Sequence, residues 1–121
     1  MKREHRLRTP ADFSRVRELA GRGCPHRLLV LYAAPSDLGG VRLGITVSRR
    51  VGKAVVRNRV RRRLREAMRA RTARLAPGHD LVLVARPPAA EASWPELNQA
   101  LDSVLARAGL LAATEPRAVR V

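Results

Sequence analysis

Between positions 49 and 74 the chain carries twelve basic side chains and one acid, Glu66. The basic residues are Arg49, Arg50, Lys53, Arg57, Arg59, Arg61, Arg62, Arg63, Arg65, Arg69, Arg71 and Arg74. Such a window suits recognition of a polyanion. The guanidinium fork matches phosphate oxygens and guanine edges, and phosphate neutralisation releases condensed counterions. Asn58 sits among the arginines with an amide that both donates and accepts, which makes it a candidate for direct contact with RNA or DNA. Other chemistries lack their residues. Cys24 is the sole cysteine, so neither an internal disulfide nor a thiolate zinc site can form. His5, His26 and His79 are scattered singly, and no clustered carboxylates suit a protein-based nuclease site. The expectation is that no metal is held by the protein's own side chains.

A helix must position these groups. At about 100° per residue, Val56, Val60, Leu64, Ala67 and Met68 form one apolar stripe in a helix predicted from about Lys53 to Ala73, which Pro77-Gly78 stops. With Val60 at zero, Asn58, Arg61, Arg62, Arg65 and Arg69 fall between about 100° and 200°, opposite the core. Arg57 and Arg63 lie about 60° to either side of the stripe, where their stems can cover apolar surface. Upstream, Thr9-Pro10-Ala11-Asp12 reads as a helix start, followed by Phe13, Val16, Leu19 and Ala20 at helical spacing. Leu28–Ala34 and Val41–Val47 read as strands, and the turn-rich stretch between them predicts an antiparallel hairpin. Leu81–Ala85 is a third strand candidate. Ser93 and Glu96 have the capping-box spacing ahead of a last helix through Ala108. The order predicts a small α+β two-layer sandwich, one layer of sheet and one of helices.

The whole chain fits one domain: 121 residues, net charge +15, 45% hydrophobic. The basic window holds +11 of that charge, and a smaller cluster, Lys2, Arg3, Arg6 and Arg8, opens the chain. With only Phe13, Tyr32 and Trp94 as aromatics, a sheet that stacks successive bases is not expected. No apolar run is long enough to span a bilayer, and the N-terminus shows no secretory h-region. The expected compartment is cytoplasmic, with no membrane partner.

The stretch Ser48-Arg49-Arg50-Val51-Gly52-Lys53-Ala54-Val55-Val56-Arg57-Asn58-Arg59-Val60-Arg61-Arg62 resembles the signature of the bacterial ribonuclease P protein subunit. Asp12-Phe13 with Val16, the Leu-Val-Leu-Tyr strand, Arg42 to Ser48, Pro77 to Val82 and Ala85-Arg86-Pro87 follow in the family's order and approximate spacing. The resemblance covers about residues 5 to 111. It implies a single αβββαβα domain over 1–121, ordered from about 8 to 111. That fold is similar to the second domain of ribosomal protein S5, with a left-handed βαβ crossover. The implied function is to bind the catalytic RNA of ribonuclease P and the 5′ leader of precursor tRNA. The protein would thereby support Mg²⁺-dependent removal of the leader, with Mg²⁺ held mainly by the RNA, which does the hydrolysis; no organic cofactor is implied.

Carried over position by position, Lys53, Arg57, Asn58, Arg59, Arg61, Arg62 and Arg65 match the family's basic motif facing the catalytic RNA; Arg49, Arg50 and Arg69 extend the same basic surface. Phe13, Val16 and Tyr32 match positions lining the leader cleft, whose rim Arg49, Arg50 and Arg86 are expected to border. Arg17 stands where many relatives carry an aromatic residue, and Pro87 where a basic residue is common. Composition and charge alone also admit a ribosomal RNA-binding protein. A DNA-binding regulator fits less well, because no paired helix-turn-helix unit precedes the arginine helix.

Overall fold

A computed structural model describes residues 6–37 and 39–111. Helix α1 spans Pro10–Ala20. Thr9 caps it, its Oγ1 accepting the Asp12 amide at 3.1 Å. The strands are a two-residue β1 (Cys24–Pro25), β2 (Leu29–Pro35), β3 (Val41–Val47) and β4 (His79–Ala85). Helix α2 spans Ala54–Arg69 and α3 spans Trp94–Arg107. The α2 helix is shorter than its sequence predicts, because a 3-10 turn at Thr72–Arg74 takes over its last residues. Ser93 and Glu96 make both bonds of the capping box that opens α3. Lys2 and Arg3 of the opening basic cluster, and the tail beyond Leu111, lie outside the described residues.

The expected hairpin does not form. The sheet order is β1-β2-β4-β3, so β4 lies between β2 and β3, antiparallel to the first and parallel to the second. Hydrophobic burial favours this arrangement. β4 is covered on both faces, with Leu81, Leu83 and Ala85 buried on one and Asp80 and Val82 on the other, and a strand of that kind belongs in the interior of a sheet. The 36–40 connection then spans two strand spacings, about 10 Å, within reach of a short loop. Helix α2 supplies the longer connection that parallel β3 and β4 require.

The helices do not share one layer. The larger core holds Leu29, Leu31, Leu43, Leu81 and Leu83 of the sheet against Val60 and Leu64 of α2 and Leu97, Leu101 and Leu105 of α3. Helix α1 packs on the opposite face, where Leu7, Val16, Ala34 and Val82 form a second, smaller core. Strand alternation decides this, since Tyr32, Ala34, Val82 and Val84 point away from the face that α2 and α3 cover. Asp80 locks α1 in place. Its fully buried carboxylate accepts from Arg42 Nε and Nη2 at 3.0 and 2.8 Å and from Arg15 Nη1 at 3.2 Å. Arg15 also donates to the Pro35 carbonyl at 2.7 Å. These bonds raise the Arg42 guanidinium above its ordinary value and join α1 to all three long strands.

Candidate nucleic-acid interface

The apolar stripe of α2 packs as its spacing dictates: Val60, Leu64, Ala67 and Met68 are buried, and Val56 packs partly against the same core. The arginines around that stripe fall into three groups. On the flank facing α3, Arg59 Nη2 donates to the Ala90 carbonyl and Arg63 Nη1 to that of Ala92, each at 3.0 Å. The Arg63 guanidinium also lies 6.0 Å from the centre of the Trp94 ring. On the flank facing β3, Arg57 Nε donates to the Gly52 carbonyl at 3.1 Å, and Arg61 and Arg65 are half-buried. Burial, then the charges of Arg6 and Arg61, hold the Arg65 guanidinium below its ordinary value.

Between the flanks, Asn58, Arg62 and Arg69 are exposed. Asn58 Oδ1 accepts from Arg61 Nη1 at 2.8 Å, which leaves its amide nitrogen to donate outward. Arg69 pairs with Glu66 on the helix surface. Arg62 has no partner among the described residues. Arg71, which charge counting groups with the rest, is instead a buried structural residue. It donates to the Ala67 carbonyl, to Asn98 Oδ1 at 2.8 Å and to Asp102 Oδ1 at 2.7 Å, so it ties α2 to α3.

A second surface lies across the sheet. Register aligns Ala34, Asp80 and Arg42 in one row, Tyr32, Val82 and Gly44 in the next, and Val30, Val84 and Thr46 in the third. Asp80 and Ala34 are sealed under α1, whereas all three residues of the third row remain half-buried. A cavity of about 420 Å³ opens here, lined by Phe13, Ser14, Arg17 and Glu18 of α1 and by Thr46 and Val82. Arg17 stacks on Tyr32 with its guanidinium carbon 4.4 Å from the ring centre. Phe13 lies over Gly44 so closely that a Cβ there would come within 2.5 Å of the ring, so a larger residue would have to displace Phe13. Val16 does not line the cleft; fully buried, it supports the cleft from behind. Thr46 and Glu18 join the site unannounced, although the two-residue alternation of β3 carries the signal for the first.

Where β3 and β4 end, Arg49 and Arg50 are exposed in a 3-10 turn, and Lys53 is exposed at the start of α2. Arg86 follows β4 directly and reaches back to the His26 carbonyl at 3.3 Å. The predicted site residues therefore form two surfaces on opposite faces of one sheet, with a basic edge at the end of β3 and β4. Among the described residues, no three His, Cys, Asp or Glu side chains come together in a way that could hold a metal ion. No helix among them is long and apolar enough to cross a membrane.

A basic α+β domain with an arginine face on one side and a cleft on the other fits the nucleic-acid-binding class. A model of the ribonuclease P family matches residues 1–109. The ribonuclease P protein component of Roseiflexus castenholzii is 47% identical over 112 residues, 92% of this chain and 91% of that protein. Among solved structures, the RNase P protein of Staphylococcus aureus superposes with a TM-score of 0.81 at 30% identity, covering 88% of this chain and 97% of that one. The RNase P protein of Thermotoga maritima gives 0.75 at 27% identity, covering 84% and 96%. The chain belongs to the ribonuclease P protein family, which makes it a component of a tRNA-processing ribonucleoprotein.

Proposed function

We propose that this chain binds the catalytic RNA of ribonuclease P through α2 and the 5′ leader of precursor tRNA through the cleft beside α1. In doing so it supports endonucleolytic removal of the leader to give the mature tRNA 5′ end. Arg62, Asn58 and Arg69 meet the catalytic RNA centrally, with Arg57, Arg59, Arg61, Arg65 and Lys53 around them. Phe13, Arg17 and Tyr32 hold the leader, and Arg49, Arg50 and Arg86 lie where the two surfaces meet. Arg17 on Tyr32 substitutes a cationic, planar platform for a second stacked aromatic ring. Hydrolysis belongs to the RNA, which holds the required Mg²⁺. Three of the protein's carboxylates, Asp80, Glu66 and Asp102, are engaged by arginines instead. In this reading the chain works in the cytoplasm, and its β3-α2-β4 crossover is left-handed as in the second domain of ribosomal protein S5.

The observation that carries the proposal is the placement of two RNA-suited surfaces on opposite faces of one sheet, which lets a small protein touch two RNA strands together. Reconstitution with the same organism's candidate catalytic RNA tests it. Cleavage of a leader-bearing tRNA at low Mg²⁺ should depend on the protein, and the protein should favour precursor over mature tRNA. Copurification with ribosomal RNA in assembled subunits, and no effect on cleavage, would overturn it.

A further inference from the structure

Trp94 is the only tryptophan of the chain, and 44% of its surface is exposed, although tryptophan is highly buried on average. It stands at the first position of α3, one turn ahead of buried Leu97. Its neighbours fix its place. Ser93 and Glu96 close the capping box around it, Glu96 Oε1 accepting the Ser93 amide at 2.7 Å. The Trp94 carbonyl accepts from Asn98 Nδ2 at 2.8 Å. The Arg63 guanidinium, itself held by the Ala92 carbonyl at 3.0 Å, lies 6.0 Å from the ring centre. Among the described residues no group accepts from the indole N–H.

The ring borders the arginine face. Around α2 from Val60, on the side of α3, Arg63 comes at about 60°, Arg59 at about 100° and exposed Arg62 at about 160°. Leu19 and Val55, the other large exposed apolar residues among those described, have neither a flat face nor a hydrogen-bond donor. Glu91 and Glu96 flank Trp94 in sequence, which favours an uncharged planar group there over a phosphate.

We infer that Trp94 is a stacking platform for one unpaired base of the catalytic RNA, with Arg63 bracing the ring. The inference deepens the RNA-binding reading and rests on it. A ring held in advance spends little conformational freedom on binding, and any base can stack on it. Stacking neutralises no phosphate and releases no counterion, so its share of the affinity does not vary with salt as that of Arg62 does.

The single tryptophan is its own probe. The full, unsubstituted chain is titrated with the same organism's candidate catalytic RNA, transcribed in vitro, while its emission is followed. Stacking should quench Trp94 and shield it from acrylamide, saturating together with the anisotropy of labelled RNA. Binding by anisotropy with emission and acrylamide access unchanged overturns the platform. Acrylamide shielding that grows with protein concentration in the absence of RNA assigns the ring to a second copy of the chain and also overturns it. In variants whose folding a melt confirms, Trp94→Ala should weaken binding by roughly tenfold with an unchanged salt slope. Trp94→Phe should recover most of that loss and Trp94→Leu should not. Trp94→Leu binding like the wild type, or a flatter salt slope in Trp94→Ala, overturns the inference. A wild-type chain that binds no catalytic RNA would instead overturn the reading of function, a result distinct from normal binding with an accessible indole.

Discussion

Arg62 and Arg63 are neighbours of identical chemistry, yet the structure assigns them opposite consequences. Arg62 is exposed, about 200° from Val60 around α2, with no partner among the described residues. Arg63 is half-buried, donates to the Ala92 carbonyl at 3.0 Å and lies against Trp94. Removing Arg63 as Ala deletes a charged hydrogen bond and a weak cation–π contact. The expected cost is about 1–2 kcal/mol, or a melting temperature lower by roughly 4–8 °C for a domain of this size. Arg62→Ala should leave stability within about 0.5 kcal/mol, since it relieves like-charge repulsion and introduces a better helix former. Binding to the catalytic RNA should show the reverse pattern. Arg62→Ala should reduce the slope of log affinity against log salt by about 0.7–0.9, one phosphate contact, while Arg63→Ala leaves the slope unchanged. Fluorescence anisotropy across a salt series, paired with thermal melts, reads both quantities. If Arg63→Ala flattens the slope and Arg62→Ala does not, the outward side of α2 is not the RNA-binding side.

Three further outcomes follow from specific contacts. Gly44→Ala should displace Phe13, whose ring would lie 2.5 Å from the new Cβ, and reduce discrimination between precursor and mature tRNA several-fold; unaltered discrimination in a folded variant would remove Phe13 from the cleft. Arg71→Ala should cost about 1.5–3 kcal/mol through the lost hydrogen bonds of its buried guanidinium to the Ala67 carbonyl and Asn98, while half-exposed Asp102 is rehydrated, with no change in the RNA salt slope, a null effect that binding measurements on a folded sample can check. His26 Nδ1 accepts the Leu28 amide at 3.0 Å, and burial, then Arg107 and Arg27, lowers its pKa from the ordinary 6.5. The unfolded chain therefore binds that proton more readily, so this contribution to stability is present above about pH 6.5 and is lost as pH falls through the folded-state value. Melts at pH 7.5 and 5.5 should show the loss in the wild type but not in His26→Asn, which keeps an acceptor; equal losses would exonerate the imidazole.

What was legible in the sequence was local. The 3.6-residue period of Val60, Leu64, Ala67 and Met68 selected the buried side of α2, and Ser93 with Glu96 announced the start of α3. The hairpin expectation failed because a short loop constrains distance without saying which strand will fill the gap. β4, apolar on both faces, competed for the central place and took it. The placement of α1 was equally hidden. Only Val16 in that helix is fully buried, and the face it meets is set by Tyr32, Ala34, Asp80 and Val82 on other elements. Charge counting failed at Arg71 for the same reason. Its partners Asn98 and Asp102 lie 27 and 31 residues away, so nothing near Arg71 distinguishes it from Arg62.

The cleft itself follows from a mismatch of lengths. An 11-residue helix is about 16 Å long, whereas seven-residue strands run about 23 Å. Helix α1 therefore cannot cover its face of the sheet, and some of that face must stay open. Asp80 determines which part. By drawing Arg15 and Arg42 together over the row it shares with Ala34, it holds α1 at the end of the sheet where β3 and β4 begin. The open row, Val30, Val84 and Thr46, then lies toward the end where β3 and β4 finish, and that end carries Arg49, Arg50 and Arg86. A buried carboxylate thus sets the position of a basic cleft without lining it. Losing that charge as Asp80→Asn should loosen α1 and blur precursor selectivity before it weakens binding at the outward side of α2, since α2 packs on the other face of the sheet. Parallel loss of both activities in a variant that still melts cooperatively would show that the two surfaces are not independent.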